Sequence, residues 1–268
     1  MVVLINYANK LYKRTQHFNS WTGKHIGKVD KVIEYGPEDI DEVFLNKNKD
    51  ILNLKRGAGA WLWKPYIILK TLESVEDGDL VFYCDSGTFF CRSMKVLLEH
   101  MENQEIWVSN IPLIEKQFTK PEVFEILGAT DDIKNSHQIQ GGFIIVRKTN
   151  ESVAFIQEWL EACENPRLLL SNENHEESGE CISHREDQSI LSVLCKKHGI
   201  LPHKDPSQYG RLPEKYRESG RLFDVPEHDD DYAPIIVLHR TREVDLGIAF
   251  RQWLCATLPR SISLKLIK

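Results

Sequence analysis

The chain has 268 residues, 41% hydrophobic and 28% charged, with a net charge of −6 and a pI near 6.0. This composition excludes a disordered or membrane-embedded chain, and the excess of acids leaves no strongly basic face for a nucleic-acid duplex. The length suits one large α/β domain, and since no Pro/Gly/Ser linker, internal repeat or low-complexity tract divides it, a single domain over residues 1–268 is expected.

The opening run Met1 to Tyr7 is too short for a signal peptide or a spanning helix and reads as a first strand. Further short apolar runs follow at Lys31–Tyr35, Leu80–Cys84, Glu105–Val108, Gly142–Val146 and Ile235–Leu238, alternating with stretches of helical period. That alternation predicts parallel strands joined by crossover helices. Pro65 suits a first helical position, with Ile68, Leu69, Leu72 and Val75 as one apolar stripe. Ile156, Trp159, Leu160 and Cys163 repeat the spacing, with Asn150 as the expected cap. The six cysteines, at 84, 91, 163, 181, 195 and 255, include no Cys-x-x-Cys pair and predict buried free thiols in a reducing, cytoplasmic compartment; their even number also leaves disulfides open.

Five places carry polar groups that folding alone does not demand. Arg56 to Pro65 leads a Gly-containing loop into a helix start with Arg56, Lys64, Trp61 and Trp63. Helix starts attract anions, but the glycine spacing is not that of an ATP-binding P-loop, and both indoles serve equally as core anchors. Asp85 ends the apolar run Leu80–Cys84 and is followed by Ser86 and Gly87; the group is either an ordinary turn or a carboxylate at the sheet edge where α/β proteins bind ligands. Gly141 and Gly142 precede a strand and permit close backbone approach, as a bulge would too. Glu186 and Asp187 open a helix within the dense polar run His184 to Ser189, where acids also suit the helix dipole. His239 and Arg240 follow the last apolar strand and repeat the arrangement of Asp85.

Two acidic stretches, 172–180 and 227–231, read as exposed loops. The stretch 247–268 mixes Ile248, Phe250, Trp253 and Leu254 with Arg251, Arg260, Lys265 and Lys268. It is read as an amphipathic helix that packs on its own sheet or makes a weak membrane-surface contact.

Taken in order, Gly57-x-Gly59-x-Trp61-x-Trp63-Lys64-Pro65, Tyr83-x-Asp85-Ser86-Gly87, Gly141-Gly142, His184-Arg185-x-Asp187-Gln188-Ser189 and the late His239 resemble the GT-A nucleotide-sugar glycosyltransferases, more narrowly those of bacterial and large-virus glycan synthesis. The resemblance spans roughly residues 1–242. It implies a GT-A, Rossmann-like α/β domain with a mostly parallel central sheet flanked by helices. It further implies sugar transfer from a nucleotide-diphosphate donor, UDP by default, to a hydroxyl of a glycan acceptor. Asp85 matches the Asp-x-Asp position that meets the donor ribose and a divalent cation, Mn²⁺ or Mg²⁺, and His239 matches the late histidine completing that metal site. Gly87 stands where a second Asp is usual. The donor-binding set is then Asn6, Tyr7, Arg56, Trp63, Lys64, Asp85, Ser86, Gly141, Gly142 and Arg240. Asp187, with Glu186 second, matches the acidic pair that supplies a base in inverting enzymes. Two other classes use the same residue types: a metal-dependent phosphoester hydrolase, and a noncatalytic glycan- or nucleotide-binding module.

Overall fold

The computed structural model describes residues 1–171, 180–239, 241, 243–259 and 262, so Arg240 and nearly all of the stretch 172–180 lie outside the described residues. Among the described residues nine strands form: β1 (Val2–Tyr7), β2 (Lys31–Tyr35), β3 (Leu80–Cys84), β4 (Thr88–Phe90), β5 (Ile106–Trp107), β6 (Asn110–Ile114), β7 (His137–Ile139), β8 (Phe143–Arg147) and β9 (Ile236–Leu238). Every expected apolar run became a strand. The added ones, β4, β6 and β7, are too short or too mixed to show a period of two.

The main sheet has the order β2-β1-β3-β8-β5. Its pairs with β1 are parallel, and β8 runs antiparallel to both β3 and β5, so four strands share one direction and only β8 opposes them. The fold class expected from sequence is therefore present, with one reversed strand. That reversal matters for the site: it brings the amino end of β8, preceded by Gly141 and Gly142, to the carboxyl end of β3, where Cys84 lies opposite Phe143. Placing β9 in the same parallel sheet would be wrong. It pairs antiparallel with β4 in a separate two-stranded sheet, Thr88 opposite Leu238, because the chain turns out of β3 at residues 85–87 and offers β4 as a new edge.

Alternate residues of β1 and β3 point to opposite faces, as the pleat requires. Val3, Ile5, Val81 and Tyr83 join a core shared with the helices Trp63–Ser74, Asn150–Cys163 and Glu186–Lys197, while Leu4, Phe82 and Cys84 pack with Phe90, Met94 and Trp107 on the other side. The expected stripe Ile68, Leu69, Leu72 and Val75 is buried in the first core, as are Ile156, Trp159, Leu160 and Cys163. Both helices begin slightly differently from expectation. Trp63 rather than Pro65 opens the first, and Thr149 rather than Asn150 caps the second, its hydroxyl accepting the Ser152 amide at 3.0 Å. All six cysteines are buried and free.

In the stretch 227–231 Glu227, Asp229 and Asp231 are exposed as expected, and Asp230 is the exception among its acids. The Asp230 side chain is only 9% exposed and accepts from His203 Nδ1 at 3.0 Å and from the Lys204 amide at 2.8 Å. Burial of a carboxylate is tolerated where such partners replace water.

Candidate active site

The carboxyl end of β3 is the starting point. Asp85 projects on the same face as Tyr83, two residues earlier, and accepts the Tyr83 hydroxyl on Oδ1 at 2.5 Å. Its backbone amide donates to the Gly142 carbonyl at 3.0 Å, continuing the β3–β8 ladder one step past the strand. Ser86 folds back to the end of β1, its hydroxyl donating to the Tyr7 carbonyl at 2.6 Å. Gly142 leaves the space in front of Asp85 open, since a Cβ there would sit 3.2 Å from Asp85 Oδ2 and 3.5 Å from Gln140 Nε2. Gly142→Ala is accordingly expected to press on the Asp85 carboxylate and to cost about 1–3 kcal/mol of stability, the usual scale of one overpacked contact, which thermal melts check.

From the other side comes the helix Trp63–Ser74. Lys64, 4% exposed, reaches Asp187 Oδ2 at 2.6 Å and donates to the Gly141 carbonyl at 3.0 Å. A buried charge persists only when paired, and here each partner supplies the other's compensation. Burial pushes the Asp187 carboxyl up to about 6, against the opposing pull of Lys64. On Lys64 burial is again the largest influence and acts downward, but the Asp187 and Asp85 carboxylates together outweigh it and hold its pKa above the ordinary value. The cation therefore stays charged at neutral pH.

Asp187 and Glu186, adjacent in the chain, have different partners. Glu186 sits at φ 42°, in the left-handed region, where a side chain other than glycine is strained. Its carboxylate takes Arg56 Nε at 2.5 Å, Arg56 Nη2 at 3.3 Å and the Ser171 hydroxyl at 3.1 Å. Arg56 itself remains 62% exposed, so this pair stands at the rim while Lys64 and Asp187 lie beneath it. Trp159 ties the helices together by donating its indole N–H to the Asp187 backbone carbonyl at 3.0 Å.

The loop before Lys64 is built by backbone conformation. Gly57 has φ 60° and a Cβ on it would lie 2.3 Å from the Trp61 ring, so the tight approach of that indole requires glycine. Trp63 is buried, stacks on Tyr7 at 3.9 Å and donates its Nε1 to the Gly57 carbonyl at 2.9 Å. Asn6 is fully buried, its amide donating to Asn19 Oδ1 at 2.8 Å and Ser20 Oγ at 3.0 Å. In this structure Asn6, Tyr7 and Trp63 thus support the site from behind, whereas Asp85, Gly142, Lys64 and Asp187 converge on it.

His239 lies at the end of β9. Its backbone amide donates to the Gly87 carbonyl at 3.0 Å, two residues past Asp85, so both strand ends belong to one edge of the molecule. The ring is buried, which lowers its pKa to about 4. Nδ1 lies 2.7 Å from Thr241 Oγ1 and accepts the Thr241 amide at 3.3 Å, and Thr241 Oγ1 is in turn 2.7 Å from the Glu243 carbonyl. Nε2 is buried with no hydrogen-bond partner. Among the described residues no group of three or more His, Cys, Asp and Glu side chains is placed to hold a metal ion.

No family model matches the sequence, and no curated protein matches it. The architecture does have counterparts: mouse xyloside xylosyltransferase 1, in its apo form, superposes with a TM-score of 0.51 over 91% of this chain and 100% of that one, at 9% identity. The chain has a GT-A fold. The galactosyltransferase LgtC, in complex with donor and acceptor sugar analogs, gives 0.49 at 15% identity, over 89% of this chain and 87% of that one. The glycosyltransferase GlyE of Streptococcus pneumoniae gives 0.47 at 15% identity, over 98% of this chain and 62% of that one.

The helix Glu186–Lys197 also carries Gln188, named in the expected polar run but given no role from sequence. Its Oε1 accepts the Gly141 amide at 3.0 Å while its Nε2 donates to Gln138 Oε1 at 2.9 Å. Gly141 is therefore clamped at both ends of its residue, by Gln188 at its N–H and by Lys64 at its C=O. Gln188 stood in the polar run after Asp187, but nothing local links it to a glycine 47 residues away.

Proposed function

We propose that the protein is a glycosyltransferase that moves a sugar from a nucleotide-diphosphate donor, UDP by default, to a hydroxyl of a glycan acceptor. One observation carries this reading: the buried Lys64–Asp187 pair, the Gly141–Gly142 segment it holds and Asp85 converge at the carboxyl edge of β3. In α/β sheets that edge is where ligands lie. Cleaving the bond from sugar to diphosphate leaves negative charge on the nucleotide, which a nearby cation stabilises. Lys64 is buried beneath this edge, and Arg56 is at the rim. The acceptor hydroxyl loses a proton as it attacks, and Asp187, with a pKa raised to about 6, is the candidate base, Glu186 being engaged by Arg56 and Ser171.

A divalent cation fits the residues present. The orphaned, uncharged Nε2 of His239 and the Asp85 carboxylate are suitable donors for Mn²⁺ or Mg²⁺, and with Gly87 at the third motif position the remaining ligands would be phosphate and water. When bound, the ion would supply charge neutralisation at the diphosphate.

The test is a thermal-shift panel of nucleotide sugars with and without Mn²⁺, followed by turnover with and without a glycan acceptor. A ligand that binds only the native state raises the melting temperature. Transfer requires acceptor, a phosphoester hydrolase does not, and a binding module shows no turnover. If no nucleotide sugar shifts the melt, the proposal fails.

Its pH dependence is fixed in sign. Below about 6 Asp187 holds a proton and cannot accept one from the acceptor, so kcat/KM is expected to fall as pH drops through that value. Since the folded pKa lies above the ordinary 3.8, the native state binds the extra proton between the two values. Over that window this group's contribution to stability decreases as pH rises. Rate and melting profiles between pH 4 and 8 read both.

A further inference from the structure

The helix Leu246–Thr257 has two unlike faces. Its inner face packs Ala249 and Ala256 against Phe89 and Val237, and the Ala256 carbonyl accepts from Arg211 Nη1 at 3.1 Å, so the helix is anchored. Its outer face leaves Leu246 71%, Phe250 61% and Ile248 45% exposed, and Trp253, 38% exposed, stacks on Phe250 with ring centres 5.9 Å apart. Beside it, a cavity of about 400 Å³ opens between this helix and the short helix Gln208–Arg211. Ile248, Tyr209 and Leu212 give that cavity apolar walls, while the exposed Lys215 and Arg251 also line it. The sequence from 246 to 268 holds four basic residues and no acidic one, in a chain whose net charge is −6.

We propose that this face docks on an anionic lipid surface, its apolar side chains entering the boundary between headgroups and acyl chains and Arg251 and Lys215 meeting lipid phosphates. Aromatic and aliphatic side chains flanked by cations are the features that hold a helix flat in that boundary, and apolar area and charge attraction add. A second copy is the poorer occupant. Two-fold pairing of this patch would gather Arg251 and Lys215 with their own copies; residues 246–268 add no acid, Asp245 is taken up in capping the helix through the Ile248 amide, and Glu214 alone adjoins Lys215. The proposal is independent of the sugar-transfer reading.

Co-sedimentation of the full chain with vesicles of equal parts phosphatidylcholine and phosphatidylglycerol, against phosphatidylcholine alone, tests it. Binding to the anionic vesicles is expected, weakening as salt rises. Leu246→Ser with Phe250→Ser, and separately Arg251→Glu, should each weaken it about tenfold. The melting temperature of the Leu246→Ser, Phe250→Ser variant should stay unchanged, because these two side chains are exposed. The proposal is overturned if the protein stays in solution with anionic vesicles, if the variants bind undiminished, or if light scattering shows a dimer that the same variants dissociate.

Discussion

Asp187→Asn is expected to lower turnover about 10²–10⁴-fold at pH 7, the range a positioned base usually contributes. The substitution keeps the side chain's volume and removes only its charge and basicity, so the loss reports chemistry rather than a cavity. It also leaves Lys64, 4% exposed, without the anion at 2.6 Å. Removing one partner of a buried pair costs about 3–5 kcal/mol, and the melting temperature should fall as well. The pH profile separates the two effects. If Asp187 is the base, the residual activity loses its inflection near pH 6. A merely structural role leaves that inflection in place, and unchanged turnover would refute the assignment.

Lys64→Met is the second large effect. It strands the Asp187 carboxylate in the interior, where burial already raises its pKa, and it removes the donor to the Gly141 carbonyl. The expected loss is about 3–5 kcal/mol of stability, or a melting point lower by roughly 10 °C for a chain of this size. Asp187 should then take up a proton at neutral pH, so kcat/KM falls by about 10²–10³ even where the protein stays folded. Thermal melts with steady-state rates at two pH values decide this. Equal stability with full activity would show that the pair is dispensable.

The two variants differ in what they leave uncompensated. Asp187→Asn strands a cation that still has Asp85 nearby, whereas Lys64→Met strands an anion among other carboxylates. The lysine variant should therefore be the less stable of the two. The comparison is a direct measure of which charge the site was built around.

Much of the fold was legible in local pattern. Each expected apolar run is a strand, and the stripes at Ile68–Val75 and Ile156–Cys163 face the core. These follow from the periods of two and 3.6, which only neighbouring residues need to satisfy. Asp85 was legible too, as a lone charge ending a run that buries both its faces. So was the pairing of glycines ahead of β8.

The tertiary structure alone decided which of these residues meet. The reversal of β8, which puts Gly142 against Asp85, has no signature in an apolar run that reads alike in either direction. The assignment of β9 to the small sheet with β4 depends on an edge created by the turn at 85–87. Lys64 and Gly141 are 77 residues apart, and their contact, like the division of Glu186 to Arg56 and Asp187 to Lys64, is set by long-range packing. A buried charge must find a partner wherever the fold brings one, and sequence neighbourhood does not say where that is.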